Sequence, residues 1–433
     1  MNATTRPVAV LGGNRIPFAR SNSAYSHASN QDMLTAALEG LIARFELAGE
    51  RLGEVAAGAV LKHSRDFNLA RECVLGSRLS PQTPAYDVQQ ACGTGLEATI
   101  LVANKIALGQ IEVGVAGGVD TTSDAPLALG EGLRGALLDA NRAKSTKDKL
   151  LALRSVRPRG LLPAIPRNEE PRTGLSMGEH QARTAAEWKI SRQAQDELTA
   201  RSHANLAAAY ERGFQSDLMT PYLGLERDQN LRPDSTVAKL SKLPPVFGGP
   251  DGTMTAGNST PLSDGAAVAL LSSVEWAQAR GLAVLAHVIE AETAAVDYVG
   301  GRDGLLMAPA YAVPRMLARA GLTLQDFDLY EIHEAFASQV LSTLAAWEDP
   351  EFCRERLGLD APLGAIDRDR LNVNGGSLAA GHPFAATGGR IVAGLAKALH
   401  ERGGGRRGLI SVCAAGGQGV VAILEASQPT GAS

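Results

Sequence analysis

What this 433-residue chain has little of already limits what it can be. Only 4% of its residues are aromatic and its formal net charge is −4, so neither base stacking nor an overall basic character indicates a nucleic-acid partner. Its four cysteines are far apart and form no C-x-x-C pair, which argues against a zinc site or a disulfide framework and favours a reducing compartment.

Long hydrophobic runs are also missing. No apolar run approaches the roughly 20 residues that span a bilayer, so we expect no transmembrane segment. The first residues lack the long apolar region of a signal peptide, and the last four, Thr-Gly-Ala-Ser, are not a peroxisomal address. These absences together predict a cytoplasmic protein.

What the chain does have is an alternation of short apolar runs with helical patterns, over residues 7–121 and again from about residue 274. That alternation is typical of an α/β fold, and the length is enough for two or three structural units. The two stretches are variations on one plan, each with a cysteine beside glycines. We therefore predict two halves, residues 1–121 plus 250–273 and residues 274–433.

Residues 122–249 differ in character from both halves. Between Gly132 and Arg172 ten Lys/Arg stand against four Asp/Glu, and four prolines interrupt the stretch. We expect an irregular excursion rather than a core element. It is either a solvated basic loop, a site for the phosphates of an anionic cofactor, or a contact with an acidic surface. A long helix is predicted after it, from Ser191 as N-cap to Gly213.

Cys92 stands out in the first half, because a short extended run precedes it and a helical pattern follows it. A cysteine on a tight turn at the amino end of a helix is expected to have a lowered pKa, and the neighbouring glycines leave room for a bulky acyl thioester. The plain alternative is a buried, inert thiol. A second alternative is the dinucleotide fingerprint G-x-G-x-x-A at residues 93–98, with Asp120 as ribose contact, but the preceding segment is short and polar.

Three further glycine-bordered patches occur in the second half. They are His-Glu-Ala-Phe at 333–336, a glycine-rich run that ends in His382-Pro383, and Cys413 followed by Gly416, Gly417 and Gly419. A small, polar patch at 251–267 precedes them. Ligands bind at the carboxyl ends of strands in open α/β sheets, so we expect two sulfurs and two imidazoles to meet in one cavity.

On these motifs the chain resembles the thiolase family over nearly its whole length. The turn Ala-Cys-Gly-Thr-Gly around Cys92 is similar to that of the family's acylated nucleophile. His-Glu-Ala-Phe, Gly-His-Pro and C-x-x-G-G-x-G at 413–419 are similar to the other three motifs. The resemblance implies two similar βαβαβαββ halves in a five-layer α-β-α-β-α sandwich, with residues 122–249 as a loop domain inserted in the first half.

The resemblance also implies catalytic roles. Cys92 would attack the C3 carbonyl of a 3-oxoacyl-CoA, and His382 would deprotonate it. Cys413 would protonate the departing acetyl-CoA carbanion and then deprotonate the incoming coenzyme A, which is a co-substrate rather than a bound cofactor. His333 and His382 would hold the thioester oxygen, and the N–H groups of Cys92 and Ala415 would form a second oxyanion hole. No metal is expected.

Two more positions carry over as substrate contacts. Thr260 corresponds to a family position that contacts the pantetheine arm of coenzyme A. Met177 belongs to a Met-Gly pair in the loop with which the family lines its acyl pocket, although the surrounding residues 175–180 depart from the family pattern. The basic stretch 132–172 resembles the coenzyme A-binding loop domain.

Two departures shape the choice of activity. His333 stands where most thiolases have Asn, and Ala415 stands where the family usually has a third glycine. The His-Glu-Ala-Phe form is most similar to fatty-oxidation thiolases that pair with a hydratase–dehydrogenase subunit, which favours a 3-ketoacyl-CoA thiolase of β-oxidation, dimeric or tetrameric like the family. The alternatives are an acetyl-CoA C-acetyltransferase, a decarboxylating condensing enzyme, against which Cys413 counts, and a silent binding subunit.

Overall fold

The computed structural model of the chain describes residues 5–428. Its strands are β1 (Val8–Arg15), β2 (Ala19–Arg20), β3 (Glu54–Ala57), β4 (Ala85–Asp87), β5 (Val113–Asp120), β6 (Ala128–Leu129), β7 (Pro163–Ala164), β8 (Pro245–Phe247), β9 (Met254–Thr255), β10 (Ser263–Ser273), β11 (Ala286–Ala295), β12 (Leu329–Ile332), β13 (Arg407–Ala414) and β14 (Gln418–Ala426).

The α-helices are α1 (Asn30–Arg44), α2 (Leu69–Leu75), α3 (Thr94–Ala107), α4 (Glu131–Arg142), α5 (Thr146–Arg154), α6 (Met177–Glu187), α7 (Arg192–Glu211), α8 (Val237–Leu240), α9 (Val274–Ala279), α10 (Ala308–Ala320), α11 (Ala337–Glu348), α12 (Pro350–Glu355), α13 (Ser377–Ala380) and α14 (Ala386–Arg402). Within residues 5–428, none of them is both long and apolar enough to cross a bilayer.

The sheet shows that the two halves share one topology. The first half has the order β1-β10-β5-β3-β4 and the second the order β11-β14-β13-β12. In each half the first two neighbouring pairs are antiparallel and the third is parallel. The halves join where β1 pairs with β11 at Val8–Val10. The predicted duplication of an α/β unit is confirmed.

Helices α3 and α14 lie between the two halves. One buried cluster combines α3, α14 and apolar residues from strands of both halves, among them Val10 and Leu271 of the first and Val412 and Leu424 of the second. A second cluster packs α1 and α2 on the outer face of the first half. A third packs α10 and α11 on the outer face of the second. The succession is helix, sheet, helix, sheet, helix, as expected for a five-layer sandwich.

Glycines allow α3 and α14 to meet backbone to backbone at their amino ends. A Cβ atom on Gly95 would lie 2.6 Å from the carbonyl oxygen of Ala385, and one on Gly388 would lie 2.1 Å from the amide nitrogen of Leu96. Both distances are shorter than a carbon atom tolerates, so a side chain at either position would force the helices apart. This contact fixes how far the residues just before the two helices can be from each other.

The limits of some elements differ from what the sequence pattern indicates. Strand β3 ends at Ala57 although the apolar run continues to Leu61, because the N–H groups of Val60 and Leu61 bind the Asp120 carboxylate instead of a neighbouring strand. The basic stretch is not irregular throughout, since it contains α4 and α5. The helix after Ser191 forms as predicted, with the Ser191 hydroxyl as its cap.

In the part of the chain that the structure describes, residues 122–249 contribute no strand to the central sheet. Strand β10, in contrast, pairs with both β1 and β5. This is consistent with residues 250–273 belonging to the first half. The division into residues 1–121 plus 250–273, 122–249 and 274–433 stays a prediction.

Replacing Gly95 with alanine is expected to push the two central helices apart. We expect Gly95→Ala to lower the free energy of unfolding by about 1–3 kcal/mol, the usual cost of overpacking. Denaturant unfolding measures this change. The matched control is Gly394→Ala in α14, where a Cβ atom meets nothing within 4 Å. That change should stabilise the chain by about 0.4–1 kcal/mol, and equal effects of both substitutions would contradict the helix-contact argument.

Candidate active site

Cys92 lies on a sharp turn immediately before α3. The preceding residue, Ala91, has a φ of +47°, which a residue with a side chain adopts only when its surroundings enforce it. The Thr94 hydroxyl enforces this turn by accepting from the Gln90 N–H at 2.8 Å and donating to the Ala91 carbonyl at 2.7 Å. The turn leaves the Cys92 side chain in part accessible.

His382 faces this thiol from the other half of the chain. Its Nε2 lies 3.1 Å from the Cys92 Sγ, and its Nδ1 lies 2.6 Å from the hydroxyl of Thr387 in α14. Because Nε2 must accept if it is to take a proton from the thiol, Nδ1–H donates to Thr387 in that state. The His382 N–H donates to the hydroxyl of Ser263 at 3.3 Å.

His333 lies against His382, with 4.1 Å between ring centroids. Its Nδ1 is 3.0 Å from the hydroxyl of Ser377, and its Nε2 has no hydrogen-bond partner among the described residues. Ligand atoms of Cys92, His333 and His382 all lie within 4.8 Å of one another. The spacing would suit a soft divalent cation. However, two backbone N–H groups also point at the sulfur, and such donors favour an anion or a thioester oxygen over a cation.

Burial favours the neutral forms of Cys92 and His382. It raises the pKa of Cys92 to about 12, although the backbone N–H groups of Ala415 and Cys92 act in the opposite direction. Burial, with the nearby charge of Arg390, lowers the pKa of His382 to about 3. The pKa of His333 is lowered well below its usual value for the same reasons and by His382. The expected lowered pKa of Cys92 is therefore wrong, because desolvation of the thiolate outweighs stabilisation by the N–H groups.

Cys413 is at the end of β13 and is buried. Burial, and then the charge of Cys92, raise the pKa of its thiol well above the usual value, so it is protonated at neutral pH. It belongs to an apolar cluster with Met254 and Phe336, against which Met177 packs. The structure thus brings Cys92, His333 and His382 within 4.8 Å of one another and buries Cys413 in an apolar cluster at the end of β13.

The remaining predicted contacts lie around this group. Ala415 directs its N–H at the Cys92 sulfur, as noted above. The Thr260 hydroxyl donates to the Glu334 carbonyl, so only its acceptor positions remain for a ligand. Met177 is the first residue of α6, capped by Ser176. These observations give the positions of Thr260, Ala415 and Met177, and their roles as substrate contacts stay predictions.

Two carboxylates that support the site were missed in the sequence. Glu170 accepts from the Gly416 N–H at 2.6 Å and from the Tyr298 hydroxyl at 2.8 Å, so it ties the basic stretch to the turn after Cys413. Glu334 accepts from Ser202 at 2.7 Å and from Asn372 at 2.6 Å. Two features of the sequence could have identified them. Glu170 is an acid within an otherwise basic run, and Glu334 directly follows the candidate His333.

Asp120 does not serve a nucleotide. Its carboxylate is buried and accepts from the N–H groups of Val60, Leu61 and Ala385 at 2.8–2.9 Å. The acceptor that a ribose would need is therefore already used within the fold. This removes the structural basis of the dinucleotide alternative for residues 93–98.

The neutral pair predicts how alkylation of Cys92 depends on pH. Because the folded thiol has a raised pKa, the thiolate fraction is small at neutral pH and grows as pH rises towards 12. We expect the rate of Cys92 alkylation by iodoacetamide to increase about tenfold per pH unit across the neutral and mildly alkaline range. Peptide mass spectrometry at several pH values measures it. A plateau below pH 7 would instead indicate a thiolate–imidazolium pair.

Comparisons with known proteins agree with this geometry. Residues 8–275 match the family model described as thiolase, N-terminal domain, and residues 282–426 match the thiolase C-terminal domain. The chain is 41% identical over 424 residues to a 3-ketoacyl-CoA thiolase of Pectobacterium atrosepticum, covering 96% of each chain, and 40% identical, with the same coverage, to one of Yersinia pestis.

Solved structures show the same fold. The acetyl-CoA acetyltransferase of Bacillus anthracis superposes with a TM-score of 0.80 at 29% identity, covering 98% of this chain and 100% of that one. Human mitochondrial 3-ketoacyl-CoA thiolase in complex with CoA gives a TM-score of 0.80 at 28% identity, covering 98% and 99%. With both halves matched by family models and the resemblance extending over nearly the whole length, the chain belongs to the thiolase family.

Proposed function

We propose that this protein is a 3-ketoacyl-CoA thiolase, which cleaves a 3-oxoacyl-CoA with coenzyme A into acetyl-CoA and a shortened acyl-CoA. The observation that carries the proposal is the 3.1 Å contact between the Cys92 Sγ and the His382 Nε2. A contact of that length lets the imidazole take the thiol proton as the sulfur attacks. The relatives named 3-ketoacyl-CoA thiolase support the same activity.

In the first step His382 removes the proton of Cys92 and the sulfur attacks the C3 carbonyl. The bond between C2 and C3 then breaks, and its electron pair remains on C2 of the departing acetyl-CoA unit. Cys413 supplies the proton that this carbanion needs, and its raised pKa keeps it protonated beforehand. The acyl group is left on Cys92 as a thioester.

The second step regenerates the enzyme. The Cys413 thiolate takes the proton of the incoming coenzyme A thiol, and that sulfur attacks the acyl thioester on Cys92. Acyl-CoA leaves, and the Cys92 thiolate recovers its proton from His382. Each thiol ends as it began, so the cycle needs no oxidant or reductant. Run in reverse, the same groups carry out a Claisen condensation.

Two sets of donors stabilise the oxygens that gain negative charge. The N–H groups of Cys92 and Ala415, which converge on the Cys92 sulfur, would surround the oxygen of the acyl group attached there. His333 and His382, the latter as imidazolium, would hold the thioester oxygen of the enolate-like acetyl-CoA unit. Loss of one such donor typically lowers the rate about 10²–10³-fold.

The substrate is recognised by apolar and basic parts of residues 122–249. Met177 and Phe247 pack on the cluster that contains Phe336 and Cys413, and this surface would receive the acyl chain. The acceptor lone pairs of Thr260 would bind the pantetheine arm. The exposed cations of α4 and α5 would receive phosphates of coenzyme A, since Lys and Arg make charge-assisted bonds to phosphate oxygens.

Acetyl-CoA acetyltransferase is the second candidate, favoured by the structural similarity to the Bacillus anthracis enzyme. It would use the same chemistry on acetoacetyl-CoA. A decarboxylating condensing enzyme needs no second thiol, so Cys413 argues against it. We also propose that the protein is cytoplasmic, which its four free cysteines support, and forms homodimers or homotetramers, in some cases with a hydratase–dehydrogenase subunit.

Removal of the nucleophile tests the reaction. Cys92→Ala should lower coenzyme A-dependent loss of a 3-ketoacyl-CoA by roughly 10⁴-fold or more, because no other group can carry the acyl chain. Absorbance of the 3-ketoacyl-CoA enolate measures the loss, and intact-mass analysis detects the acyl adduct. Cys73→Ala, which changes a thiol buried in a different cluster, is the control. Undiminished turnover in Cys92→Ala would refute the proposal.

The same assay, repeated over substrates from acetoacetyl-CoA to long-chain 3-ketoacyl-CoA, separates the two candidates. A kcat/KM that rises with chain length supports the 3-ketoacyl-CoA thiolase. A kcat/KM confined to acetoacetyl-CoA would establish the acetyltransferase.

Charge reversal in α5 tests the proposed phosphate site. Replacing Lys147, Lys149 and Arg154 together with Glu should raise the KM for coenzyme A several-fold with little change in kcat, because exposed cations contribute binding rather than chemistry. Steady-state kinetics at low and high salt measure the KM for coenzyme A. Because salt screens exposed charges, the difference in KM between the wild type and the variant should be smaller at high salt. A control reverses Arg406, which precedes β13, and Arg407, its first residue, at the end of the strand away from Cys413. An unchanged KM would assign the stretch to another partner.

A further inference from the structure

The first turns of α14 contact both active-site histidines. Thr387 reaches the Nδ1 of His382 directly. Arg390, three residues further and on the same face of the helix, donates from Nη2 to the Ser377 hydroxyl at 3.3 Å, and that oxygen lies 3.0 Å from the Nδ1 of His333. Arg390, Ser377 and His333 thus form a chain of contacts that none of the steps described above uses.

We propose that Arg390, acting through Ser377, holds His333 in the tautomer with its proton on Nε2, so that His333 donates a hydrogen bond to the substrate thioester oxygen. This inference rests on the proposed thiolase reaction. Arg390 and Ser377 are positioning residues, because they act on the substrate only through His333.

The direction of each hydrogen bond follows from the donor and acceptor capacities. A guanidinium group can only donate, so the Ser377 oxygen accepts from Arg390. The single hydroxyl hydrogen of Ser377 then has His333 Nδ1 as its acceptor among the described residues. If Nδ1 carried the proton instead, that hydroxyl hydrogen would be buried without a partner. An imidazole that accepts at Nδ1 and is neutral has its proton on Nε2.

The Nε2 of His333 is positioned to donate to a ligand. His333 is 1% exposed, and its Nε2 has no partner among residues 5–428. A buried donor left unpaired in a folded chain requires an explanation, and a ligand that supplies the missing acceptor is the simplest. His333 lies beside His382 and Cys92, where the substrate carbonyl would be. A thioester oxygen that becomes enolate-like fits as the acceptor.

Arg390 has a second effect, through its charge. It lowers the pKa of both His382 and His333, so it disfavours the imidazolium form of each in the resting enzyme. Burial lowers the pKa of Arg390 itself, and the charges of Glu331 and Glu334 act in the opposite direction. Other charged or titratable groups also act on this region. Glu331 and Glu334 around β12, Arg15 at the end of β1 and Asp228 act on Arg390. Asp120 and Glu170 act on Cys92, and Cys92 acts on Cys413 of β13.

Three variants separate the hydrogen bond from the charge. Ser377→Ala removes the hydroxyl and should lower kcat about tenfold to a hundredfold, while KM changes by no more than about threefold. The upper end of this range is the effect of losing one oxyanion-hole donor. Arg390→Gln should lower kcat similarly. It should also move the acid limb of the kcat/KM profile to higher pH, because burial would still lower the histidine pKa values but the additional lowering by the Arg390 charge would be lost. Arg390→Lys keeps the charge, so its acid limb should stay in place.

Nitrogen-15 NMR of histidine-labelled protein reads the tautomer without turnover, with the His333 signals assigned by their loss in His333→Asn. We expect the Nε2–H tautomer in the wild type and a mixture, or the Nδ1–H form, in Ser377→Ala. The control is Ser342→Ala, another buried serine, whose hydroxyl has no partner among the described residues and whose loss should change neither readout.

Two results would overturn the inference, namely an Nδ1–H tautomer of His333 in the wild type, or a Ser377→Ala variant with unchanged tautomer and kcat. If the wild type itself fails to cleave any 3-ketoacyl-CoA, the proposed function fails, while the tautomer measurement still stands by itself. Circular dichroism and unfolding curves identify variants that fail to fold. Ser377→Thr retains a hydroxyl at this position and should keep the Nε2–H tautomer of His333. It serves as a second test if Ser377→Ala does not fold.

Discussion

The site depends on how closely the amino ends of α3 and α14 approach. Each helix comes from a different half of the chain, and glycines at the crossing let the two backbones touch. Cys92 directly precedes one helix, and His382 lies just before the other, so the helix contact sets the distance between sulfur and imidazole at 3.1 Å. The outer helices and both parts of the sheet pack around this pair of helices and keep it in place.

The electrostatics follow from the same depth of burial. A site between two layers of sheet removes water, and this penalises the thiolate and the imidazolium alike. The resting enzyme therefore holds a neutral thiol beside a neutral base, and proton transfer accompanies attack on the substrate. The second thiol, Cys413, is protonated for the same reason, which suits the role of acid proposed for it.

Hydroxyls and carboxylates outside the reacting groups give the site its order. Thr387 and Ser377 contact the outer nitrogens of the two histidines, while Glu334 accepts from Ser202 in α7 and from Asn372. Glu170 reaches from residues 122–249 to the turn after Cys413. Residues 122–249 therefore contribute to the order of the turn after Cys413.

The sequence by itself predicted the α/β class, the duplicated plan and four candidate side chains for the site, because strand alternation and glycine-bordered turns are local patterns. It did not determine the ionisation of Cys92. The position of Cys92 at the amino end of a helix favours the thiolate, and only the packed interior shows that desolvation of the thiolate is the larger effect. Nor could it identify Glu170, Ser377 or Arg390, whose partners are distant along the chain. Such contacts arise from the tertiary structure, where the crossing of two helices decides which polar groups share the interior.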